Sequence, residues 1–280
     1  MKRILTLLAC ALLLLPAALA YGDEVTEPAC ASVAISLPQM DMDSMIAALY
    51  GDQAEALELE SQVYEYGGVS VEVTSGALPD CEYAFSCSGN YVNMQRYHAI
   101  PLSYRSEGEG AYLPPPSDIA GKYTEAEAIE LARQFIQDEL GIAKHTGVIV
   151  TKVQPEDPAK PRSRAYVIEF AYAWEGIPLR GTTQQLPQVT PMLTVGVTDE
   201  GIVSFAGDIL ELSSGRQSEA PVLPLDEVAR LNPNDWLLAQ EADLRLCYMV
   251  GPAHEGRLAW CAADLDGSHG YDAYTGERLA

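Results

Sequence analysis

Residues 165–174 have the sequence AYVIEFAYAW, and this stretch decides the class of fold that we predict. Large apolar and aromatic side chains occur at every second position, and a β-strand places such positions on one face of a sheet. The pattern therefore predicts a strand with one face turned toward a hydrophobic core. The side chains on that face are Tyr166, Ile168, Phe170 and Tyr172.

Further strands are predicted on both sides of this stretch. Residues 192–198 and 202–205 are mainly apolar and flank Asp199-Glu200-Gly201, a combination that favours a hairpin turn. Short runs that contain many β-branched, aliphatic or aromatic residues predict the remaining strands, at residues 69–73, 148–153, 244–250, 258–263 and 271–274.

Helices are predicted at three places. Thr124 is followed three residues later by Glu127, which is the pattern of a capping box, and apolar residues then recur at three- and four-residue steps. Residues 42–60, with a break expected at Gly51, and residues 225–231 also have helical character. Helices interspersed with groups of antiparallel strands predict an α+β fold, with antiparallel sheets and packed helices.

The first 20 residues, MKRILTLLACALLLLPAALA, have the features of a Sec signal peptide. Two basic residues precede an apolar run, and Ala18-Leu19-Ala20 fits the small-x-small cleavage pattern. We predict cleavage after Ala20, and hence a secreted or extracytoplasmic protein of bacterial type. A lipoprotein attached through Cys10 is the alternative, but the apolar run continues past this cysteine. We expect no stable membrane span once the signal is removed, because no later run is long and apolar enough.

The charge balance excludes two classes of partner. The chain of 280 residues has 17 Lys and Arg against 40 Asp and Glu, a formal net charge of −23 at pH 7. Nucleic acids and anionic lipid surfaces bind surfaces rich in Lys and Arg, so neither is expected as a partner. A protein this acidic attracts cations or a basic partner instead.

A segment rich in Gly and Pro divides the chain. Consecutive prolines favour an extended spacer, and Pro114-Pro115-Pro116 lie in this segment. We therefore predict four parts. They are a signal peptide (1–20), an N-terminal α+β domain of unknown type (21–113), a Pro/Gly linker (114–121) and a second domain (122–280).

Five cysteines follow the predicted cleavage site, and export permits disulfides. Cys247 and Cys261 lie in two apolar runs that we expect to be neighbouring strands, so a bridge between them is geometrically conceivable. Cys81 and Cys87 would close a short loop. The alternative, that some of these cysteines are buried thiols, stays open. No Cys-x-x-Cys occurs and the histidines are scattered, so we predict no metal site.

No linear motif of a known catalytic site is present in the sequence. There is no Gly-x-Ser-x-Gly, no His-Glu-x-x-His and no glycine-rich phosphate loop, and we predict no catalytic residue and no cofactor. The acidic run at residues 264–268 suggests a calcium loop, but His269 and Thr275 stand where an EF-hand requires Gly and Glu. A polar turn is the preferred interpretation of this run.

Three segments of the second predicted domain carry a family resemblance. Residues 170–179, FAYAWEGIPL, contain a Gly-Ile-Pro turn, residues 195–203 contain the predicted hairpin, and residues 271–277 have the sequence YDAYTGE. Together they resemble PepSY-like extracytoplasmic domains, including those of the YycH/YycI group of two-component-system regulators. The resemblance covers about residues 122–280 and implies a PepSY-like fold for the second domain.

The resemblance implies a non-catalytic secreted or cell-surface protein that binds or modulates another envelope protein or a peptide. We expect its binding surface where aromatic residues lie beside exposed turns, at Trp174, Ile177, Pro178, Tyr271 and Tyr274. One alternative is a secreted hydrolase of cell-wall or dietary polymer that uses an unrecognised pair of carboxylates. Another is a structural surface protein that buffers calcium, suggested by charge alone.

Overall fold

The computed structural model describes the chain in separate segments. They are residues 28, 30–66, 69–79, 81–96, 118–144, 146–181, 191–218, 220–235, 238, 244–251, 254–262 and 270–279. The predicted signal peptide and its cleavage site at Ala20, Cys10, residues 114–117 of the predicted linker and the acidic run at 264–268 lie outside the described residues.

The described residues before 97 form one α-helix, one 3-10 helix and five strands. They are β1 (Ser32–Ser36), α1 (Met42–Tyr50), a 3-10 helix (Gly51–Ala56), β2 (Glu58–Tyr66), β3 (Val69–Leu78), β4 (Cys81–Ser88) and β5 (Tyr91–Gln95).

Two helices and ten strands are described after residue 117. Their first group is α2 (Glu125–Gln134), a π-helical turn (Phe135–Glu139), β6 (Val148–Pro155), β7 (Ala165–Trp174), β8 (Ile177–Gly181), β9 (Met192–Thr198) and β10 (Gly201–Asp208). Their second group is β11 (Glu211–Ser214), α3 (Leu225–Leu231), β12 (Leu244–Val250), β13 (Glu255–Ala262), β14 (Gly270–Asp272) and β15 (Arg278–Leu279).

All fifteen described strands join in one mixed sheet. The main order is β11-β1-β13-β12-β8-β7-β9-β10-β5-β4-β3-β2, with β6 beside β7 and with β14 and β15 beside β13. The predicted α+β class, antiparallel sheets with packed helices, is therefore wrong. Over the described residues the protein is mostly β-sheet with three short α-helices, and β8 pairs in parallel with β12.

The helix predicted at residues 225–231 has those bounds, whereas the helix predicted at residues 42–60 is shorter than expected. Helix α1 ends at Tyr50, because Gly51 has a φ of +54° that caps the helix, and residues 58–60 belong to strand β2. The predicted capping box of α2 is confirmed. The Thr124 hydroxyl accepts a hydrogen bond from the Glu127 N–H, and the Glu127 carboxylate accepts one from the Thr124 N–H.

The hydrophobic core lies on one face of the sheet, under α1 and α2. Strand β7 contributes the four side chains predicted from its alternation, and all four are buried. The ring of Phe205 on β10 meets Phe135, just beyond α2, edge to face with their centroids 6.2 Å apart. Tyr50 at the end of α1 donates a hydrogen bond to the Ala84 carbonyl and accepts one from the Gln95 N–H, which ties this helix to β4 and β5.

Strand β1 lies between two strands that follow it by more than 170 residues. It pairs antiparallel with β11 through Val33 and Ser214, and with β13 through Val33 and Gly256. A hydrogen bond between the side chains of Glu255 and Ser32 links β13 to β1. A hydrogen bond from the Ser32 hydroxyl lowers the pKa of Glu255, and the Arg216 guanidinium lowers it further.

Strands from both sides of the predicted linker pair with each other. Besides β1, strand β5 pairs with β10 from Tyr91 opposite Asp208 to Gln95 opposite Ser204. The division into two domains at residues 114–121 stays a prediction. No helix in the described segments is both long and apolar enough to cross a membrane.

Candidate functional site

The predicted binding residues Trp174, Ile177 and Pro178 lie at the tight turn between β7 and β8. Trp174 pairs with Ile177, and the two residues between them, Glu175 and Gly176, have φ angles of +50° and +81°. Positive φ at both central positions is typical of a type I′ turn, which suits the twist of a hairpin. The glycine of the Gly-Ile-Pro sequence is therefore explained by the positive φ that this turn requires.

Most of the predicted binding surface is packed into the protein. Pro178 and Tyr271 are buried, while Trp174, Ile177 and Tyr274 are partly buried against the main hydrophobic core. A role for these five side chains in binding stays a prediction. Their contacts in the free protein are those of structural residues.

The turn and the C-terminal tyrosine come together around Tyr248 of β12. The Tyr248 hydroxyl donates a hydrogen bond of 3.0 Å to the Cys30 carbonyl. Burial raises the pKa of Tyr248, and the nearby Glu175 and Tyr274 side chains raise it further. The buried Tyr248, which holds Cys30, is thus near Glu175 of the turn and near Tyr274.

The YDAYTGE segment forms a hydrogen-bonded turn. The Asp272 carboxylate accepts bonds of 2.9 Å from the N–H groups of Tyr274 and Thr275, and the Asp272 N–H donates to the Glu277 carbonyl. Gly276 has a φ of +70°. An Asp that bonds the following backbone N–H groups stabilises a turn, so these residues build the fold.

The structure forms one of the two conceivable disulfides. Cys247 on β12 and Cys261 on β13 are bonded, with their Cα atoms 6.3 Å apart. Cys81, Cys87 and Cys30 are free and buried. Burial raises the pKa of the Cys81 and Cys87 thiols, which makes them weaker nucleophiles than an exposed cysteine.

A surface that the sequence did not point to carries three exposed large apolar side chains on one strand. Strands β2 and β3 form an antiparallel hairpin at one end of the sheet, which we call the acidic hairpin. The side chains of residues 58–65 on β2 are all exposed. Among them, Leu59 is 41% exposed, Val63 is 65% exposed and Tyr64 is 52% exposed.

The outer half of the acidic hairpin is a two-stranded ribbon. Strand β4 pairs with β3 from Thr74 onward, so residues 69–73 of β3 pair with β2 alone among the described strands. Val63 and Tyr64 lie opposite Glu72 and Val71 in this ribbon. A two-stranded hairpin in water is marginally stable, because it buries little apolar surface.

The acidic hairpin carries negative charge that no ion pair of the described residues compensates. It carries Glu58, Glu60, Glu65 and Glu72. None of the ion pairs found in the described residues includes one of these carboxylates. The whole stretch between Arg3 and Arg96 contains no Lys or Arg, but thirteen Asp and Glu.

Two signals in the sequence could have revealed this surface. Leu57-Glu58-Leu59-Glu60 alternates between apolar and acidic residues, which is the period of a strand exposed on one face. The absence of basic residues from the same region marks it as a charge block. Both signals were missed because β2 begins only eight residues after α1 ends, and the apolar residues of 42–60 were interpreted together as one helical pattern.

The sequence predicts no catalytic residue and no metal site. No group of three or more His, Cys, Asp or Glu in the part of the chain that the structure describes is placed to hold a metal ion. The carboxyl groups of Asp41, Glu127 and Glu255 have a pKa that departs clearly from the usual value. In each of them hydrogen bonds lower the pKa.

Comparisons with known proteins show the fold and no more. No family model and no curated protein matches the chain. A crystal structure of an uncharacterized protein from Eubacterium rectale ATCC 33656 is similar with a TM-score of 0.54 and 15% identity, over 90% of this chain and 86% of that one. YycH from Bacillus subtilis has a TM-score of 0.43 and 11% identity, and this chain covers 90% of its own length and 52% of YycH.

The first comparison establishes that the overall fold described above also occurs in the Eubacterium rectale protein. This chain spans about half of the length of YycH. A PepSY-like domain specifically is not confirmed. The chain therefore shares the overall fold of the Eubacterium rectale protein, and its function has to be argued from its own surfaces.

Proposed function

We propose that this protein is a non-catalytic extracytoplasmic protein that binds another envelope protein or a peptide through the acidic hairpin. The observation that carries the proposal is the exposure of Leu59, Val63 and Tyr64 on strand β2. The export that the proposal needs rests on residues 1–20, whose sequence has the pattern of a signal peptide.

The energetics of the outer ribbon support a binding role. Its strands have no described layer packed on the β2 side chains, so folding gains little from burying them. Apolar surface contributes roughly 25 cal/mol for each Å² removed from water. A partner that covers Val63 and Tyr64 would recover free energy that the isolated protein leaves unused.

The hairpin is a better candidate than the turn predicted from the sequence. At that turn Pro178 is buried, and Trp174 and Ile177 already contact the core of the same chain. Replacing them would disturb the fold as well as any interface. On the hairpin, in contrast, the large apolar side chains are free to contact another molecule without rearrangement of the core.

The hydrolase alternative has no comparable observation in its favour. A general acid of that class needs a carboxyl group with a raised pKa near a second carboxylate. The pKa values of Asp41, Glu127 and Glu255 are all lowered, and two of these groups, Asp41 and Glu127, cap helices. These groups serve structural roles.

The proposal predicts that partner capture depends on the hairpin side chains. Residues 21–280, tagged at the C-terminus, are incubated with the cell envelope of the source organism and cross-linked, and captured proteins are quantified by mass spectrometry. The variant V63T/Y64T should capture at least about tenfold less of any specific partner than the wild type, because central apolar contacts dominate binding free energy. Threonine retains the strand preference of both positions.

A matched variant tests whether the loss of capture is specific to the hairpin or follows from removing any exposed apolar side chains. I119T/L231Q changes two exposed apolar residues outside the hairpin, which are 66% and 47% exposed. Its capture should equal that of the wild type. Equal capture by V63T/Y64T and wild type would contradict the proposal, and so would a loss confined to Trp174→Ala and Tyr274→Ala, which would place binding at the turn.

A further inference from the structure

We infer that the partner of the acidic hairpin is an extended, positively charged peptide segment that adds as a further strand to the free edge of β2. The inference rests on the proposed function and specifies the chemistry and the geometry of the same site. It is carried by three properties of β2: an edge that no described strand covers, a regular register without Lys, Pro or a bulge, and negative charge that no described ion pair compensates.

No described strand covers the outer edge of β2 at any point along its length. Strand β2 pairs with β3 on one side, and no strand in the described segments pairs with it on the other. In an antiparallel pair, alternate residues direct their N–H and C=O groups away from the partner strand. The nine residues Glu58–Tyr66 therefore present a row of backbone donors and acceptors that can pair with an added strand.

The other edge strands of the sheet are short or carry a bulge, a lysine and a proline, whereas the protection of β2 against pairing comes from its glutamates. Strand β11 has four residues and β15 has two. Strand β6 has a bulge between Val150 and Lys152, a lysine at that bulge, and Pro155 at its end. In contrast, β2 contains no Lys and no Pro, and its register with β3 runs through nine consecutive pairs without a bulge.

Charge decides which kind of strand can add. Glu58, Glu60 and Glu65 lie on β2 itself, and they are part of a stretch of 92 residues, 4–95, without any Lys or Arg. An added strand places its side chains about 5 Å from those of β2, where opposite charges attract and like charges repel. A segment with Lys or Arg at alternate positions satisfies this condition. A second copy of this chain would place glutamate beside glutamate.

The side chains of β2 also set the pattern of the partner. Leu59, Ser61, Val63 and Glu65 are on one face, while Glu58, Glu60, Gln62 and Tyr64 are on the other. Each face thus combines apolar and acidic groups. The complementary segment is extended and mixes basic with β-branched or aliphatic residues.

Binding of a defined peptide to residues 21–280 tests the inference. The probe is a fluorescent peptide of about ten alternating lysine and valine residues, long enough to span β2. Its affinity, measured by anisotropy, should fall at least about tenfold for E60K/E65K, and it should also fall as salt is raised from about 50 to about 300 mM. The control E139K/E211K makes the same change of charge at exposed glutamates outside the hairpin and should bind the peptide like the wild type.

Two further peptides separate strand addition from attraction of charge. A peptide of the same sequence that is N-methylated at every residue keeps its charge but loses its backbone donors on both edges, and it should not bind. A peptide with glutamate in place of lysine should not bind either. Equal binding of the N-methylated peptide would overturn strand addition, and equal binding of the glutamate peptide would overturn the requirement for a basic partner.

The failure of the inference is distinguishable from the failure of the proposed function. Absence of lysine-valine binding, with envelope capture still lost in V63T/Y64T, would overturn the inference and leave the proposed function intact. Capture that does not depend on V63T/Y64T would overturn the proposed function itself. A concentration-dependent dimer in analytical ultracentrifugation that E60K/E65K changes would show that a second copy occupies the edge, which also overturns the inference.

Discussion

The substitution Val33→Asn should destabilise the protein by about 3 kcal/mol or more. Val33 is 0% exposed and lies in β1, between β11 and β13. Asparagine would remove buried apolar contacts and bring in an amide without an obvious partner, and each effect alone is costly. Urea unfolding of residues 21–280, followed by far-UV circular dichroism, measures the change in the free energy of unfolding.

The neighbouring position supplies the control. Ala34 lies in the same strand but on its other face, and its side chain is exposed. Ala34→Asn should change the free energy of unfolding by less than about 0.5 kcal/mol, as expected for a surface substitution. Similar small effects at both positions would show that β1 is not an integral strand of the sheet, contrary to the fold described above.

The substitution Phe205→Ala should cost about 3–5 kcal/mol, because it empties the centre of the main core. Phe205 is fully buried and meets the ring of Phe135 edge to face. Its neighbours across the sheet are Val195 on β9 and Met94 on β5. Met94 precedes the predicted linker and Phe205 follows it. The unfolding transitions of the chain before the linker and of the chain after it should therefore shift together.

A smaller substitution at the same site distinguishes packing from backbone effects. Phe205→Leu retains most of the apolar volume and should lose less than half as much stability as Phe205→Ala. Thermal unfolding followed by near-UV and far-UV circular dichroism should show one coincident transition in each variant. Two separate transitions, with only one of them shifted, would contradict a core shared across residues 94 and 205.

Local features of the structure were predictable from the sequence, because their cause is local. The capping box of α2 needs only Thr124 and Glu127, which are three residues apart. The hairpin of β9 and β10 needs Gly201 in a turn, where it has a φ of +105°. The strand β7 was visible from its own alternation. In each case the physical preference lies within about ten residues of chain.

The features that were missed depend on distant partners. Strand β1 has only five residues, and what stabilises it is pairing with β11 and β13, which no local pattern reveals. The fold class was wrong for the same reason: long-range pairing joins all fifteen described strands into one sheet, and the three α-helices only cover parts of it. The strand β2 was taken as the end of a helix, although its own alternation is visible in the sequence.

The candidate site shows the same division. Aromatic residues beside Gly and Pro predicted an exposed surface at Trp174 and Tyr274, but sequence does not say which side chains the fold covers. The structure packs both against the core. Nothing in the residue types of Leu59, Val63 and Tyr64 marks them as a binding surface. They become a candidate surface because β2 lies at the end of the sheet.

Hydrogen–deuterium exchange of residues 21–280, with and without the partner that it captures, tests the central claim most directly. In the free protein the amides of the outer ribbon, residues 62–66 and 69–73, should exchange quickly, because this part of the hairpin pairs with no third strand in the described structure. Binding should slow exchange across Glu58–Tyr66 and leave the Trp174–Pro178 turn unchanged. Protection at that turn, with no change in β2, would contradict the account.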